Sequence, residues 1–174
     1  TIALTIDASD EGVSGVAKVE YRWYDADTDT YSAWAVYNAD DKPTKAPNFR
    51  GFAEARATDA AGNVSAVETS EGVTVDGTKP ALVSITATYN GEAYQNGTWV
   101  ADTVEMTLES SAYSGIYTYQ YRVDSGEWIP LSGNTLTASQ DGRHVYEFRA
   151  VSNSGLYSAA TAQVVQIDRQ KPVI

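Results

Sequence analysis

Three carboxylates and one carboxamide mark where this chain could bind a metal ion: Asp7, Asp10, Asp59 and Asn63. The first two follow an alternating segment at residues 1–7, and the other two enclose a small turn. Oxygen ligands of this kind suit calcium. The alternative is that Asp59 and Asn63 only form the turn, through hydrogen bonds from side chain to backbone. The turn interpretation is favoured, calcium remains the second hypothesis, and no other cofactor is expected.

Aromatic side chains are the second candidate for a binding surface. Trp99 and Trp128 belong to a set of rings larger than one small core needs, and planar rings are platforms for sugar faces. Trp128 has a counterpart in Trp34, however, and a repeated ring indicates packing over a sheet edge. Structural packing is the favoured interpretation, with ligand binding by Trp99 and Trp128 as the alternative.

An acidic run resembles the beginning of a calcium-binding EF-hand loop. Asp25, Asp27 and Asp29 have the spacing of its first ligands. Thr30 stands where that loop needs glycine, and Val36 stands where it needs the closing glutamate. The run therefore predicts a hairpin turn.

Catalysis has little support in the sequence. The single histidine is His144, at the start of a predicted strand, and its position suggests no serine with a partnering acid. An active site needs a nucleophile, a base and a group that orients them. We therefore predict that the chain is not an enzyme and that His144 is a surface residue.

These candidate residues lie in a chain that repeats itself. Residues 56–66 and 149–159 share an Arg-Ala pair, a glycine and a Ser-Ala pair at the same spacing. Ser152 and Leu156 stand in the second copy where the first has Asp59 and Asn63. The shared part is the backbone geometry of a turn in which glycine takes positive φ at no steric cost.

Alternating apolar residues place strands in both copies. Each of the following runs has a matching run in the other copy: Ile2, Leu4, Ile6 with Val104, Met106, Leu108; Val19, Tyr21, Trp23 with Tyr119, Tyr121, Val123; and Ala53, Ala55, Ala57 with Tyr146, Phe148, Ala150. Small residues replace aromatic ones in the last run of the first copy. Trp23 is expected to refill part of that volume.

The repeat divides the chain into two modules. The modules are residues 1–79 and 80–174; a Lys-Pro pair follows the last strand of each, at residues 79–80 and 171–172, and proline ends a strand ladder. Residues 38–48 are predicted to be a loop. The second module has a first strand at residues 81–89 that the first lacks, and residues 171–174 look like the start of a linker to a further module. The sequence predicts an all-β chain of two tandem β-sandwich domains.

Composition limits the functional classes. Net charge is −11 over 174 residues, so nucleic acid and anionic membranes would be repelled. Cysteine is absent, and no 18-residue apolar run exists. This composition is typical of extracellular bacterial modules and also occurs in soluble cytoplasmic proteins. We expect an extracellular monomer, at a cell surface or secreted, with no membrane insertion.

The repeated motifs resemble the bacterial immunoglobulin-like modules of large surface or secreted proteins. The resemblance rests on the Ser-Gly-Val and Ser-Gly-Ile openings at residues 14–16 and 114–116, a Tyr-Arg pair followed by a turn and a tryptophan, the turn at residues 57–65, and the Asp-x-x-Lys-Pro exits. It implies immunoglobulin-like sandwiches that act as a non-catalytic spacer or adhesin segment, with neighbouring modules as partners and a host or glycan ligand as a further one. The alternative is a carbohydrate-binding or substrate-presenting accessory module of a glycan-active extracellular enzyme. Fold alone does not fix function.

Overall fold

The computed structural model describes residues 1–174 and is all-β. It divides into two compact units, Thr1–Gly77 (unit 1) and Thr78–Ile174 (unit 2). The expected module boundary, after residue 79, lies two residues beyond the end of unit 1.

Unit 1 has eight strands in two sheets. They are β1 (Ile2–Ala3), β2 (Val16–Asp25), β3 (Thr30–Tyr31), β4 (Ala35–Val36), β5 (Thr44–Lys45), β6 (Phe49–Asp59), β7 (Glu68–Thr69) and β8 (Val73–Val75). One sheet is the pair β1-β5. The other has the order β3-β2-β6-β7, and in addition β4 pairs with β2 and β8 with β6.

Unit 2 has nine strands in two larger sheets. They are β9 (Ser84–Tyr89), β10 (Glu92–Ala93), β11 (Trp99–Val100), β12 (Val104–Glu109), β13 (Ile116–Val123), β14 (Ile129–Leu131), β15 (Thr135–Ala138), β16 (Gly142–Ser152) and β17 (Thr161–Ile167). The sheets have the orders β10-β9-β12-β15 and β11-β17-β16-β13-β14. Their inner faces enclose one core, so the unit is an immunoglobulin-like β-sandwich.

The central antiparallel pair is the same in both units. β2 pairs with β6, and β13 pairs with β16, in matching registers that include Tyr21 opposite Ala55 and Tyr121 opposite Phe148. Each pair also has a register shift near its start, between Val16 and Lys18 or between Ile116 and Thr118. The repeat in the sequence is thus a repeat in backbone geometry.

The core of unit 2 follows the predicted alternation. Val104, Met106 and Leu108 are fully buried in β12, and they meet Phe148 and its neighbours from β16. Burial of an aliphatic or aromatic side chain contributes about 1.5 to 3 kcal/mol. This core of twelve buried residues is the main source of stability in unit 2.

The core of unit 1 is much smaller. Trp23, Phe49 and Ala53 are its buried members, with edge-to-face packing between the Trp23 and Phe49 rings at 5.5 Å. Trp23 therefore does fill volume beside Ala53. The Lys45 ammonium lies 4.6 Å from the Phe49 ring centre. Lys45 pairs with Ile2, and the corresponding residue of unit 2 is the buried Ala138, which pairs with Val104.

Three predicted elements differ in extent. The strand predicted at residues 1–7 is limited to Ile2–Ala3, because β5 is its one sheet partner. That partner lies inside the predicted loop at residues 38–48 and brings two of its residues into the sheet. The strand predicted at residues 81–89 begins at Ser84. The hairpin predicted at the acidic run is confirmed, since β2 and β3 pair across it.

Candidate functional site

The predicted metal ligands lie at one end of unit 1, but the carboxylates of Asp10 and Asp59 already accept hydrogen bonds from their own loops. Asp10 accepts hydrogen bonds from the Gly12 and Gly15 N–H groups at 2.9 and 2.8 Å. Asp59 accepts from the Asn63 backbone N–H and side-chain amide, both at 2.8 Å. The hydrogen bond from the Asn63 side-chain amide lowers the pKa of Asp59 most, and the bond from the Asn63 backbone N–H lowers it further.

Three of the four predicted ligands share one opening. Asp10, Asp59 and Asn63 line a surface cavity of about 210 Å³, whereas Asp7 lines a neighbouring cavity. The structure contains no group of three or more His, Cys, Asp and Glu side chains placed to hold a metal ion. Calcium binding stays a prediction, which a comparison of the unfolding midpoint in calcium and in chelator would test.

The equivalent turn of unit 2 keeps the same bonds without the acid. In unit 1, Asp59 N–H donates to the Asn63 carbonyl at 3.0 Å, and Asn63 N–H donates to the Asp59 carboxylate. In unit 2, Ser152 N–H donates to the Leu156 carbonyl at 2.9 Å, and Leu156 N–H donates to Ser152 Oγ at 3.1 Å. A serine hydroxyl thus replaces the carboxylate as acceptor, which supports the turn role of Asp59.

Arginine and tryptophan side chains stack on the outer face of the main sheet in unit 1. The Arg22 and Arg56 guanidinium carbons lie 4.7 and 4.3 Å from the centre of the Trp34 ring. Arg22 also pairs with Glu54 at 2.7 Å, and Arg56 pairs with Glu20 at 3.0 Å. Each guanidinium is therefore held by a ring and by a carboxylate on the neighbouring strand. We call this set the arginine stack of unit 1.

Unit 2 builds the same stack from its own residues. Arg122 and Arg149 lie 4.7 and 4.2 Å from the centre of the Trp128 ring. Arg122 binds Glu147 at 2.8 Å, and this contact raises the pKa of the arginine. Arg149 instead donates to the amide oxygen of Gln120 at 2.8 Å, so one ion pair of unit 1 is a neutral hydrogen bond here.

Stacking explains why Trp34 and Trp128 recur. A guanidinium over an indole ring contributes about 0.5 to 1 kcal/mol at an exposed site, and more where water is excluded. Both rings are half-buried beside their arginines. The repeated rings pack over the sheet as predicted, but their contact with arginine was not predicted. The signal for this contact would have been an arginine on each of two paired strands, two positions apart in the register, with a tryptophan after the first strand.

Trp99 has a different environment from Trp128. It belongs to β11, which pairs in parallel with β17 through Trp99 opposite Gln166. Its side chain is 56 % exposed. The two predicted ligand-binding tryptophans are therefore on separate elements, and Trp99 is the more open of the two.

His144 lies at the surface with its side chain partly buried, and it is paired with Asp124. Its Nδ1 lies 2.7 Å from an Asp124 carboxylate oxygen, and its Nε2 lies 3.2 Å from the Asp141 carbonyl. The other Asp124 oxygen accepts the Val145 N–H at 2.8 Å. The Asp124 contact raises the pKa of His144. The ring nitrogen opposite the carboxylate faces a carbonyl oxygen and not a nucleophile.

Comparisons with known proteins give likenesses to solved structures alone. No protein-family model matches the chain, and no curated protein matches it. A solved structure of fibronectin(III)-like modules of Clostridium thermocellum CbhA is similar to it, with 18 % identity and a TM-score of 0.42. The likeness covers 94 % of this chain and 82 % of that one. The structure contains no helix long and apolar enough to cross a membrane.

Proposed function

We propose that the chain is a non-catalytic pair of immunoglobulin-like modules that acts as a spacer or adhesin segment of a bacterial cell-surface or secreted protein. The observation that carries this proposal is the duplicated arginine stack. In both units the repeated tryptophan, Trp34 or Trp128, is engaged by two arginines of its own sheet. The repeated surface residues thus stabilise a module, which is what a spacer requires.

The turns and the composition support the same role. The tight turns at Gly62 and Gly155 repeat the same backbone bonds, while the acidic side chains around them differ. A turn that binds a ligand through acidic side chains would need those side chains, whereas a turn that serves folding needs only its backbone geometry. The cysteine-free, acidic composition and the resemblance of the motifs to bacterial surface modules favour an extracellular setting.

A carbohydrate-binding accessory role is the second candidate, and Trp99 is the observation that favours it. This ring is more than half exposed, and Tyr117 of the same unit is 73 % exposed. Exposed rings are suited to stacking against sugar faces.

Isothermal titration of the full chain against panels of host and plant glycans separates the two roles. The spacer proposal predicts no saturable binding tighter than millimolar. Single-molecule extension should show two separate unfolding steps, of at most about 280 and 350 Å, because each unfolded residue spans up to about 3.6 Å and the length of the folded unit is subtracted. The unit lengths follow from Thr1–Gly77 and Thr78–Ile174.

Saturable glycan binding that is lost in Trp99→Ala and kept in Trp34→Ala would establish the accessory role instead. A matched loss in both variants would indicate damage to the fold, and the unfolding midpoint of each variant would reveal it.

A further inference from the structure

The arginine stack of unit 2 contains a guanidinium that no carboxylate neutralises. Gln120 lies opposite Arg149 in the sheet, as Glu20 lies opposite Arg56 in unit 1. Arg56 is paired with the Glu20 carboxylate at 3.0 Å, whereas Arg149 Nε donates to the neutral Gln120 amide oxygen at 2.8 Å. Arg149 forms no ion pair, so its positive charge is uncompensated on the outer face of the sheet.

The two terminal nitrogens of Arg149 are accessible to solvent. Nε is the one donor of this side chain that has an acceptor in the protein. Every side-chain nitrogen or oxygen atom that is buried in the structure has a hydrogen-bond partner. The Nη groups of Arg149 have none, so they are not buried. Together they form a planar fork that fits both oxygens of a carboxylate.

A second aromatic ring distinguishes Arg149 from its counterpart in unit 1. Its guanidinium carbon lies 4.2 Å from the centre of the Trp128 ring and 4.3 Å from that of the Tyr157 ring. Val64 is the equivalent of Tyr157, since each forms the same isolated bridge to the strand before the glycine turn. The two rings hold the guanidinium in place. Tyr157 is 46 % exposed, so an accessible aromatic surface lies beside the Nη fork.

We propose that Arg149, Trp128 and Tyr157 bind an acidic sugar, a pyranose that carries one carboxylate. The carboxylate pairs with the Nη fork of Arg149, and the C–H groups of the sugar ring contact Tyr157. Unit 1 lacks this site because Glu20 occupies the equivalent arginine and no ring stands in place of Tyr157. The inference goes beyond the spacer role and does not depend on it.

The position of Arg149 in the sheet favours a sugar over an acidic peptide. Peptides that bind to sheets commonly add to an open edge through their backbone groups. Arg149 belongs to β16, which is paired with β13 on one side and with β17 on the other. A ligand on this face therefore meets side chains alone, and one cation beside an aromatic ring matches one carboxylate on a sugar ring.

NMR titration of the full chain at constant ionic strength tests the proposal. The ligands are methyl glucuronide and methyl galacturonide, and the neutral methyl glucoside and methyl galactoside are their controls. We expect at least one acidic sugar to shift the Trp128 indole N–H saturably, with a Kd of roughly 1 to 10 mM, since one charge-assisted contact supplies little more than the free energy of a millimolar complex. The neutral sugars should cause no such shift. The Trp34 signal should stay in place, because Arg56 is already paired with Glu20.

A reciprocal exchange of residues between the units tests the cause of binding. Gln120→Glu gives Arg149 a carboxylate partner, and we expect it to raise the Kd by about tenfold or more, because the new carboxylate repels and replaces that of the ligand. Glu20→Gln combined with Val64→Tyr gives unit 1 the arrangement of unit 2 and should create a saturable shift at Trp34. Each change introduces a residue that the other unit already holds at that position. The unfolding midpoint of each variant checks that its fold is kept.

Any of four results would overturn the proposal. One is the absence of a Trp128 shift up to about 100 mM acidic sugar, ten times the weakest expected Kd. Another is an unchanged Kd in folded Gln120→Glu, which would place the sugar elsewhere. The third is an equal Kd for acetate, which would make this a general anion site. The fourth is tighter binding of N-acetylglutamate amide, which would assign the site to an acidic peptide. None of these results would contradict the spacer role, which the glycan panel and single-molecule extension test separately.

Discussion

Units 1 and 2 have the same frame and different interiors. Both pair two long strands in matching register, both end the second strand in the same glycine turn, and both stack two arginines on one tryptophan. Their cores differ fourfold in buried members, three against twelve. The frame is thus set by local sequence and strand pairing, and the interior by how many strands cover the face.

The largest effect is expected when one apolar side chain is shortened to alanine at equivalent positions of the two cores. Met106 is fully buried and its counterpart Leu4 is half-buried. We expect Met106→Ala to cost about 2 to 5 kcal/mol of unfolding free energy. Leu4→Ala should cost about 1 kcal/mol, because less apolar surface is lost.

Urea unfolding of the full chain, followed unit by unit through hydrogen exchange, measures both costs. Equal costs would contradict the view that unit 1 has a thin core.

The arginine stacks should give the next largest effect, and it should be alike in the two units. Trp34→Ala and Trp128→Ala are each expected to cost about 1 to 2 kcal/mol, because each removes two guanidinium contacts. Trp99→Ala is the control, and its cost should stay within about 0.5 kcal/mol because the ring is largely exposed. A strongly unequal cost at Trp34 and Trp128 would show that the stacks are not equivalent.

Glycine substitutions test whether the two turns share their backbone requirement. Gly62 and Gly155 have φ values of 92° and 79°, and an added Cβ at either would meet no atom within 4 Å. The cost of alanine is therefore conformational alone, about 1 to 2 kcal/mol in each unit. Thermal unfolding of Gly62→Ala and Gly155→Ala measures it. A cost in one unit alone would contradict the shared geometry.

The smallest expected effect is a difference between the two units in how the unfolding midpoint depends on pH. His144 is the one histidine and belongs to unit 2. Its pKa is raised in the folded state by Asp124, so its contribution is fully present below about pH 6.5 and is lost as the pH rises through the raised pKa. The unfolding midpoint of unit 2 should therefore fall across this window, while that of unit 1, which has no histidine, should not.

Asp124→Asn should abolish most of this pH dependence, because it removes the carboxylate that faces the ring. An unchanged dependence would assign the effect to another group. Calorimetry of the variant and the original chain between pH 5.5 and 8.5 gives the comparison.

Several elements could be predicted from the sequence because their causes are local. Alternation at Val104, Met106 and Leu108 indicated a half-buried strand, and the structure buries all three completely. The acidic run after β2 indicated a hairpin, since it has turn formers and lacks the EF-hand glycine. The repeated glycine indicated a turn with positive φ, and both copies have it.

Other features depend on contacts between distant strands, which local patterns do not specify. The loop prediction at residues 38–48 missed Thr44–Lys45, because that pairing needs β1 beside it. His144 was expected at the surface, but its pairing with Asp124 was not predicted, because the hairpin after β13 brings Asp124 to it from 20 residues away. The stack of Arg22 and Arg56 on Trp34 requires two paired strands and the segment after β3 together.

The sequence by itself determined the strands, the turns and their duplication, because alternation, glycine conformations and turn formers act over a few residues. The tertiary structure decided how deeply the alternating apolar side chains are buried. Ile2, Leu4 and Ile6 have the pattern of a buried strand, but the pattern alone leaves open how many strands cover it. The physical reason is that burial is a property of the assembled sheets: β12 of unit 2 lies beside β9, whereas β1 of unit 1 pairs with the two-residue strand β5.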